Sequence, residues 1–447
     1  MKKLMWPAVI VLGIILFLGA AAGIGGILFT NRFNAEIAAM KSRGEPTTIA
    51  DLLSAPVPDD RNAAVPYLQI NSEIDGAGYR SALQVISKFP SSPGAHPSPD
   101  KWAEAENALS DLSPLRKRID EALARPECRF EINTADPLST LYPQLTTIRQ
   151  MMQVTRVSAL VNARNGRMDA AVEDIRTQIG ITQSLKDEPF MLNHRVRMML
   201  MRMTAESLVA VMEYGDLSED QARRLFDALG EFNLTESCKR AWQGERVLLL
   251  HYSDPRSMRH LISSTLYSAT GSASAGQRLH GPLASVYSRT AMKGDMAAYL
   301  RYSAAMMDGA GLSYRDAKVK GLLDAPRDLP FFAVLSKTVS PVSPQTSLTR
   351  YTVETRISQA RVLLALQAYR DRYGAYPASM QELRSKLGWD LPKDPYSGGD
   401  LICRRQGKGF ILYSVGPDLL DDGGRPIAGD RVERESKGDI VWRSYRN

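Results

Sequence analysis

Between Leu4 and Asn31 the chain carries no charged residue, and this run limits its folding options more than any other feature. Its apolar heart, Ala8 to Phe29, would span roughly 33 Å as a helix, enough for a bilayer core. Lys2, Lys3 and the amino terminus lie on the short side, and Arg32 is the first charge beyond. That asymmetry puts the N-terminus inside and the bulk of the chain outside the cytoplasm. Residues 1–31 are therefore expected to form a single-pass signal anchor that meets lipid through residues 8–29. A cleaved signal peptide is the alternative, because Ala20, Ala21 and Ala22 are small residues at a cleavage position. The run continues through Ile24, Ile27, Leu28 and Phe29, which favours a retained anchor. No Cys follows it, which excludes a lipoprotein. Gly19 and Gly23 have the spacing that lets two membrane helices approach closely.

At 447 residues two or three domains are expected. The net charge of +7 is spread along the chain, with Lys and Arg mostly beside Asp or Glu. Such a pattern describes a solvated surface and argues against nucleic acid as a partner. The three cysteines, Cys128, Cys238 and Cys403, are odd in number and far apart, so neither a zinc ribbon nor a disulfide framework is indicated. Buried apolar positions suit them better than reactive ones.

Eight prolines between Pro46 and Pro99 make residues 32–97 a connector with short helices over Asn34–Arg43, Thr48–Ser54 and Ala64–Ile74. Residues 98–325 then read as an α-helical, repeat-like domain. Ser98-Pro99 and Ser113-Pro114 each place an N-cap before a proline in the first turn. Leu141, Leu145, Ile148 and Met152 share one helical face, as do Met168, Val172, Ile175 and Ile179, with Gly166 as the break between them. Further helices are expected over 190–213, from a Ser218–Gln221 capping box to Gly230, over Thr235–Tyr252, and as a pair within 282–324. Asn162 to Ala171 is faintly similar to the turn of a tetratricopeptide repeat, without a clean 34-residue period. Stacked helix pairs would leave an extended binding surface. The six methionines between Met191 and Met212 are read as core filling. Gly271 to Gly281 reads as a loop, and residues 326–347 as a hinge.

The last segment, 348–447, alternates differently. A helix from Thr349 to Tyr373 carries Val353, Ile357, Ala360 and Leu364 on one face. Gly374 and Pro377 end it, Met380–Leu387 is a second helix, and Leu401–Arg404, Gly409–Ser414 and Asp439–Arg443 read as strands. The fold class is thus mostly α with a C-terminal α+β module. It comprises an N-terminal transmembrane helix, an array of α-helical hairpins, and one long helix packed on a small antiparallel sheet.

Tyr373-Gly374-Ala375-Tyr376-Pro377, Leu391-Pro392-Lys393-Asp394-Pro395, Ser414-Val415-Gly416-Pro417-Asp418 and Asp439-Ile440 follow one another in an order and spacing that resembles the C-terminal part of the major pseudopilin of type II secretion systems. The resemblance implies a bacterial envelope protein at the inner membrane, a small sheet on a long helix, and a loop that binds calcium. It makes Asp418 and Asp439 the metal-binding aspartates, with Asp421 and Asp422 beside them. Calcium takes six to eight hard oxygens, which an Asp- and Gly-rich loop can supply. The same residues also build turns, and that reading stands beside the first. Gly438 occupies a position where the family usually has Asp, and Arg425 to Lys437 is a longer insertion. The family's leader and fibre-forming helix have no counterpart next to the module, so the resemblance implies a fold module, with no reaction attached.

No metalloprotease, nucleophile-elbow or phosphate-loop motif occurs, and none of the five histidines sits in a recognisable catalytic context. His251 and His260 straddle Asp254 and Arg256, the sole hint of a spatial His/Asp pair. No catalytic or cofactor-binding residue is assigned. The leading expectation is a non-enzymatic binding or scaffold protein of the envelope, with protein partners and a link to secretion. The alternatives are a pseudopilin-like secretion subunit and an envelope hydrolase.

Overall fold

The computed structural model describes residues 25–53, 55–74, 76–137, 143–253, 287, 290–324, 336, 342–407, 409–429 and 431–443. Helices run in chain order over residues 25–42 (α1), Ile49–Leu52 (α2), Ala64–Ile74 (α3), Ala77–Lys88 (α4), Pro99–Asp111 (α5), Ser113–Leu123 (α6), Pro143–Arg164 (α7) and Met168–Gln183 (α8). They continue over Met191–Met212 (α9), Glu219–Gly230 (α10), Leu234–His251 (α11), Met292–Asp308 (α12), Tyr314–Val319 (α13), Val342–Tyr373 (α14) and Met380–Leu387 (α15). Ile402–Gln406 (β1), Gly409–Ser414 (β2) and Ile440–Arg443 (β3) form an antiparallel sheet in that order. The chain divides into two compact units, one of residues 1–54, 242–309 and 324–344, the other of 55–241, 310–323 and 345–447.

In the first unit, Phe33 of α1 and Leu249 and Leu250 of α11 pack against buried Met292 and Met296. Arg246, fully buried, donates to Glu45 at 2.5 Å, and Glu45 also accepts from Arg43 at 2.7 Å. Only 25–29 of the expected membrane run are among the described residues, as the start of α1. Among the described residues no helix is long and apolar enough to cross a membrane. Residues 8–24 lie outside the described residues. So do Leu141, the loop over 271–281, His260, His280, Asp430 and most of the hinge.

The second unit is built on α7, which packs against α8 and α9 and against the earlier helices α3 to α6. The periodic residues are buried as their spacing requires: Leu145, Ile148 and Met152 on α7, and Val172, Ile175 and Ile179 on α8. Gly166 takes φ 72° between them, a backbone state natural to glycine. Ser98 caps α5 through the Lys101 N–H, and Ser218 and Gln221 close the capping box of α10. Ser113 departs from expectation. It lies inside α6, and Leu112 stands at the cap without a side-chain bond.

Residues 32–97 do more than connect. The expected helix over Ala64–Ile74 is present as α3, and α4 adds a helix that the density of prolines hides. Tyr67, Ile70, Leu83, Ile86 and Phe89 belong to the same core as α5 to α9. That core also runs into the C-terminal segment, through Val353, Ile357 and Leu364 of α14 to Leu412 and Trp442 of the sheet. Residues 98–241 and 310–323 of the helical array thus share one unit with the sheet, where the sequence reading divides the chain between 98–325 and 348–447. Of the methionines on α9, Met198, Met201 and Met203 are buried, as core filling requires.

Candidate functional site

Helix α14 sets the position of the sheet. Its polar residues Thr355 and Gln359 are as buried as its apolar ones. One face serves the sheet: Gln359 Nε2 donates to the Ile440 carbonyl at 2.6 Å, and Arg356 to that of Val441 at 3.2 Å. The other face meets α10. There the Arg361 guanidinium lies 4.1 Å from the centre of the Phe226 ring and donates to the Phe226 carbonyl at 3.3 Å. The Phe226 and Trp389 rings meet at a tilt with centroids 4.8 Å apart, and Arg223 lies over Trp389 at 4.9 Å. A Cβ at Gly230 would stand 3.2 Å from Arg361, so the residue that ends α10 also makes room for this contact.

The acidic loop connects β2 to β3. In it, Asp421 accepts from the Tyr413 hydroxyl at 2.8 Å, from Arg404 at 2.8 Å and from the Gly423 N–H at 2.9 Å. These donors, the Gly423 N–H foremost, hold its carboxyl below the usual range. Asp418 accepts from the Leu420 and Gly438 N–H groups, each at 3.2 Å. Asp422 is turned to Arg425 at 3.3 Å. Asp439 is 1% exposed, and its Oδ2 accepts from Gly424 at 2.7 Å. Its Oδ1 is buried, and the Asp422 N–H also faces the carboxylate. Burial raises its pKa, and the neighbouring Asp421 and Asp422 add to the shift.

The backbone here is unusual. Leu419 takes φ 64°, rare for a residue with a side chain. Gly438 takes φ 108°, and a Cβ there would lie 2.9 Å from the Arg425 carbonyl. This explains the departure at Gly438, because an Asp side chain has no room. The insertion itself uses the space: Ile427 N–H bonds the Asp439 carbonyl at 3.1 Å and Asp439 N–H bonds Arg425 at 2.8 Å.

The loop thus brings Asp421, Asp422 and Asp439 near one another, while Asp418 is committed to backbone N–H groups. Among the described residues no three carboxylate, imidazole or thiol groups gather as a metal-ligand set. Asp439 Oδ1 is the oxygen positioned to accept a cation. A calcium ion there would compete with Arg404 for Asp421 and with Arg425 for Asp422, and would need backbone carbonyls for most of its shell. Turn chemistry accounts for Asp418 and Asp421 without a metal.

Elsewhere, polar groups are sealed rather than presented. His194 is 2% exposed and its Nδ1 meets the Ser237 hydroxyl at 3.0 Å. Burial first, then Arg197 and Arg350, depress its pKa to about 3, so the ring is neutral across the physiological range. It lies between helices, on α9 against Ser237 of α11. His251 stands at the end of α11 against Tyr252. Cys238 is buried, Cys128 and Cys403 are half-buried, and none of the three is in a disulfide. A groove of about 380 Å³ lies between α4 and α5, floored by Phe89 and Val85 and edged by Lys88, Lys101 and Glu104. No family model, no curated protein and no solved structure matches the chain.

Proposed function

We propose that the chain is a non-enzymatic scaffold of the bacterial envelope, anchored through residues 8–29, that holds partner proteins and serves secretion. One observation carries the reading: α14 is enclosed between the helical array and the sheet, with Arg361, Phe226 and Trp389 interleaved at the seam. A continuous core of this kind supports a rigid bearing surface, which is what stacked helices offer a partner. His194, whose pKa is strongly depressed, is closed to solvent and suited to packing rather than turnover. Calcium at the β2–β3 loop is part of the proposal, with Asp439 as its first ligand and Asp421 and Asp422 recruited from their arginines.

Cross-linking and pull-down of the intact chain from native membranes, with and without a calcium chelator, tests this. Defined proteins cross-linked to the helical array are expected. Recovery of nothing beyond background overturns the scaffold reading. A loop whose proteolysis is unchanged by chelator and by added calcium removes the metal and leaves the scaffold standing.

A further inference from the structure

The groove between α4 and α5 has a floor that is held in place from several sides. Phe89 meets Trp102 of α5 edge to face at 4.9 Å, which brings the end of α4 beside the first turn of α5. Trp102 is itself enclosed, by the Tyr214 ring at 5.8 Å and by the Arg164 guanidinium at 4.8 Å. The loop that joins the two helices is tied to the array. Arg156 Nη2 donates to the Ser91 carbonyl at 2.9 Å, and the Gly94 N–H donates to Glu213 at 2.8 Å. The walls are thus fixed before anything binds, which lowers the ordering cost of an occupant.

Charge on these walls is one-sided. Helix α4 carries Arg80 and Lys88 and no acidic residue. Lys88 lines the groove, and Lys101 lines it from the opposite wall at the same end. Both lysines are exposed, and among the described residues neither has an ion-pair partner. Glu104 lines the groove one turn on from Lys101. The other acids of α5 do not line it, and Glu106 is turned to Asn165 and Arg164. Two ammonium groups therefore stand at one end of an apolar floor of Val85 and Phe89, against a single carboxylate. An acidic group beside an apolar side chain complements that pattern, whereas a basic group meets like charge. The volume, about 380 Å³, has room for a few side chains.

We propose that this groove docks a short acidic segment of a partner protein, with an apolar side chain on Val85 and Phe89 and carboxylates on Lys88 and Lys101. The inference rests on the scaffold reading and names where on the helical array one partner sits. Glu104 sets the direction: the acidic end of the segment lies toward the loop between α4 and α5, and the end beside Glu104 carries no acid.

Fluorescence anisotropy with the full chain tests this, using a short labelled peptide that alternates leucine and aspartate. It should bind more tightly than counterparts with asparagine or lysine in place of aspartate, and a counterpart with serine in place of leucine should lose the apolar anchor. Added salt should weaken binding. Lys88→Glu combined with Lys101→Glu should weaken it about 20-fold, and Glu104→Lys should tighten it about fivefold. The gain in Glu104→Lys decides by itself if the double variant does not fold. No binding of the leucine–aspartate peptide, equal binding of the asparagine or lysine counterpart, or unchanged affinity in Glu104→Lys would each overturn the docking site. In cross-linking from native membranes, a partner lost only from the double variant supports the groove. Partners recovered alike by wild type and double variant would remove the groove and leave the scaffold reading standing.

Discussion

The seam between α10 and α14 and the loop between β2 and β3 both concentrate charge, and charge does opposite work in them. At the seam, the Arg223 and Arg361 guanidinium groups lie over the Trp389 and Phe226 rings, so they act as packing surfaces for aromatic side chains. In the loop, Asp418, Asp421 and Asp439 accept backbone N–H groups, so carboxylates act as turn-builders. The seam unites two parts of the core. The loop is largely exposed and is held by polar bonds that a cation or water can exchange. A charged residue in a sequence therefore says little until its neighbour is known.

The sharpest way to break this contrast is Phe226→Ala. Removing a buried ring should cost about 3–5 kcal/mol. Because array and sheet share a core, helical and tryptophan signals should shift together in urea unfolding; a sheet that keeps its stability would show an independent module. Next, His194→Gln should alter the acid limb. The depressed pKa of His194 contributes stability above about pH 6.5 that is lost as pH falls toward 3. Between pH 7 and pH 4 the wild type should lose on the order of 3 kcal/mol that the variant does not, measured by denaturant titration at each pH. Equal losses would mean that the ring is protonated in the fold.

Gly438→Asp sets a side chain against the backbone of Arg425. A cost of about 2 kcal/mol is expected, from strain at a glycine-only conformation, with faster exchange in β3. A stabilised variant that binds calcium would show that the loop is built for a metal after all. The smallest effect belongs to Arg404→Ala. Its pair with Asp421 is about half exposed, so stability should change by roughly 0.5 kcal/mol. The same change frees an oxygen of Asp421, and isothermal titration should show tighter calcium binding if a cation competes for it; no change would separate Asp421 from any metal shell.

Much of this architecture was legible in advance. Periodic apolar residues, the Ser218–Gln221 box and the Gly166 break mark α7 to α10, because these signals are local and each acts within one or two turns. The β2 strand and the Met380–Leu387 helix match the expected bounds for the same reason. Helix α4 is not marked by local signals, since prolines stand on both sides of it and its cap, Gly76, makes no side-chain bond. At the candidate site, the identities of Asp418, Asp421, Asp422 and Asp439 were legible as a cluster. Their partners were not, because Arg404 and Tyr413 come from other strands and meet the loop through sheet register.

The sequence by itself determined most of the helices, the approximate places of the three strands and the caps of α5 and α10, all of which follow from backbone preferences and short-range periodicity. Tertiary structure alone decided that α14 is buried on both faces, that Gly438 excludes an aspartate, and that His194 loses its solvent. Each of these depends on which distant residue fills the neighbouring space, and burial of a polar group acquires its energy only when that space is closed.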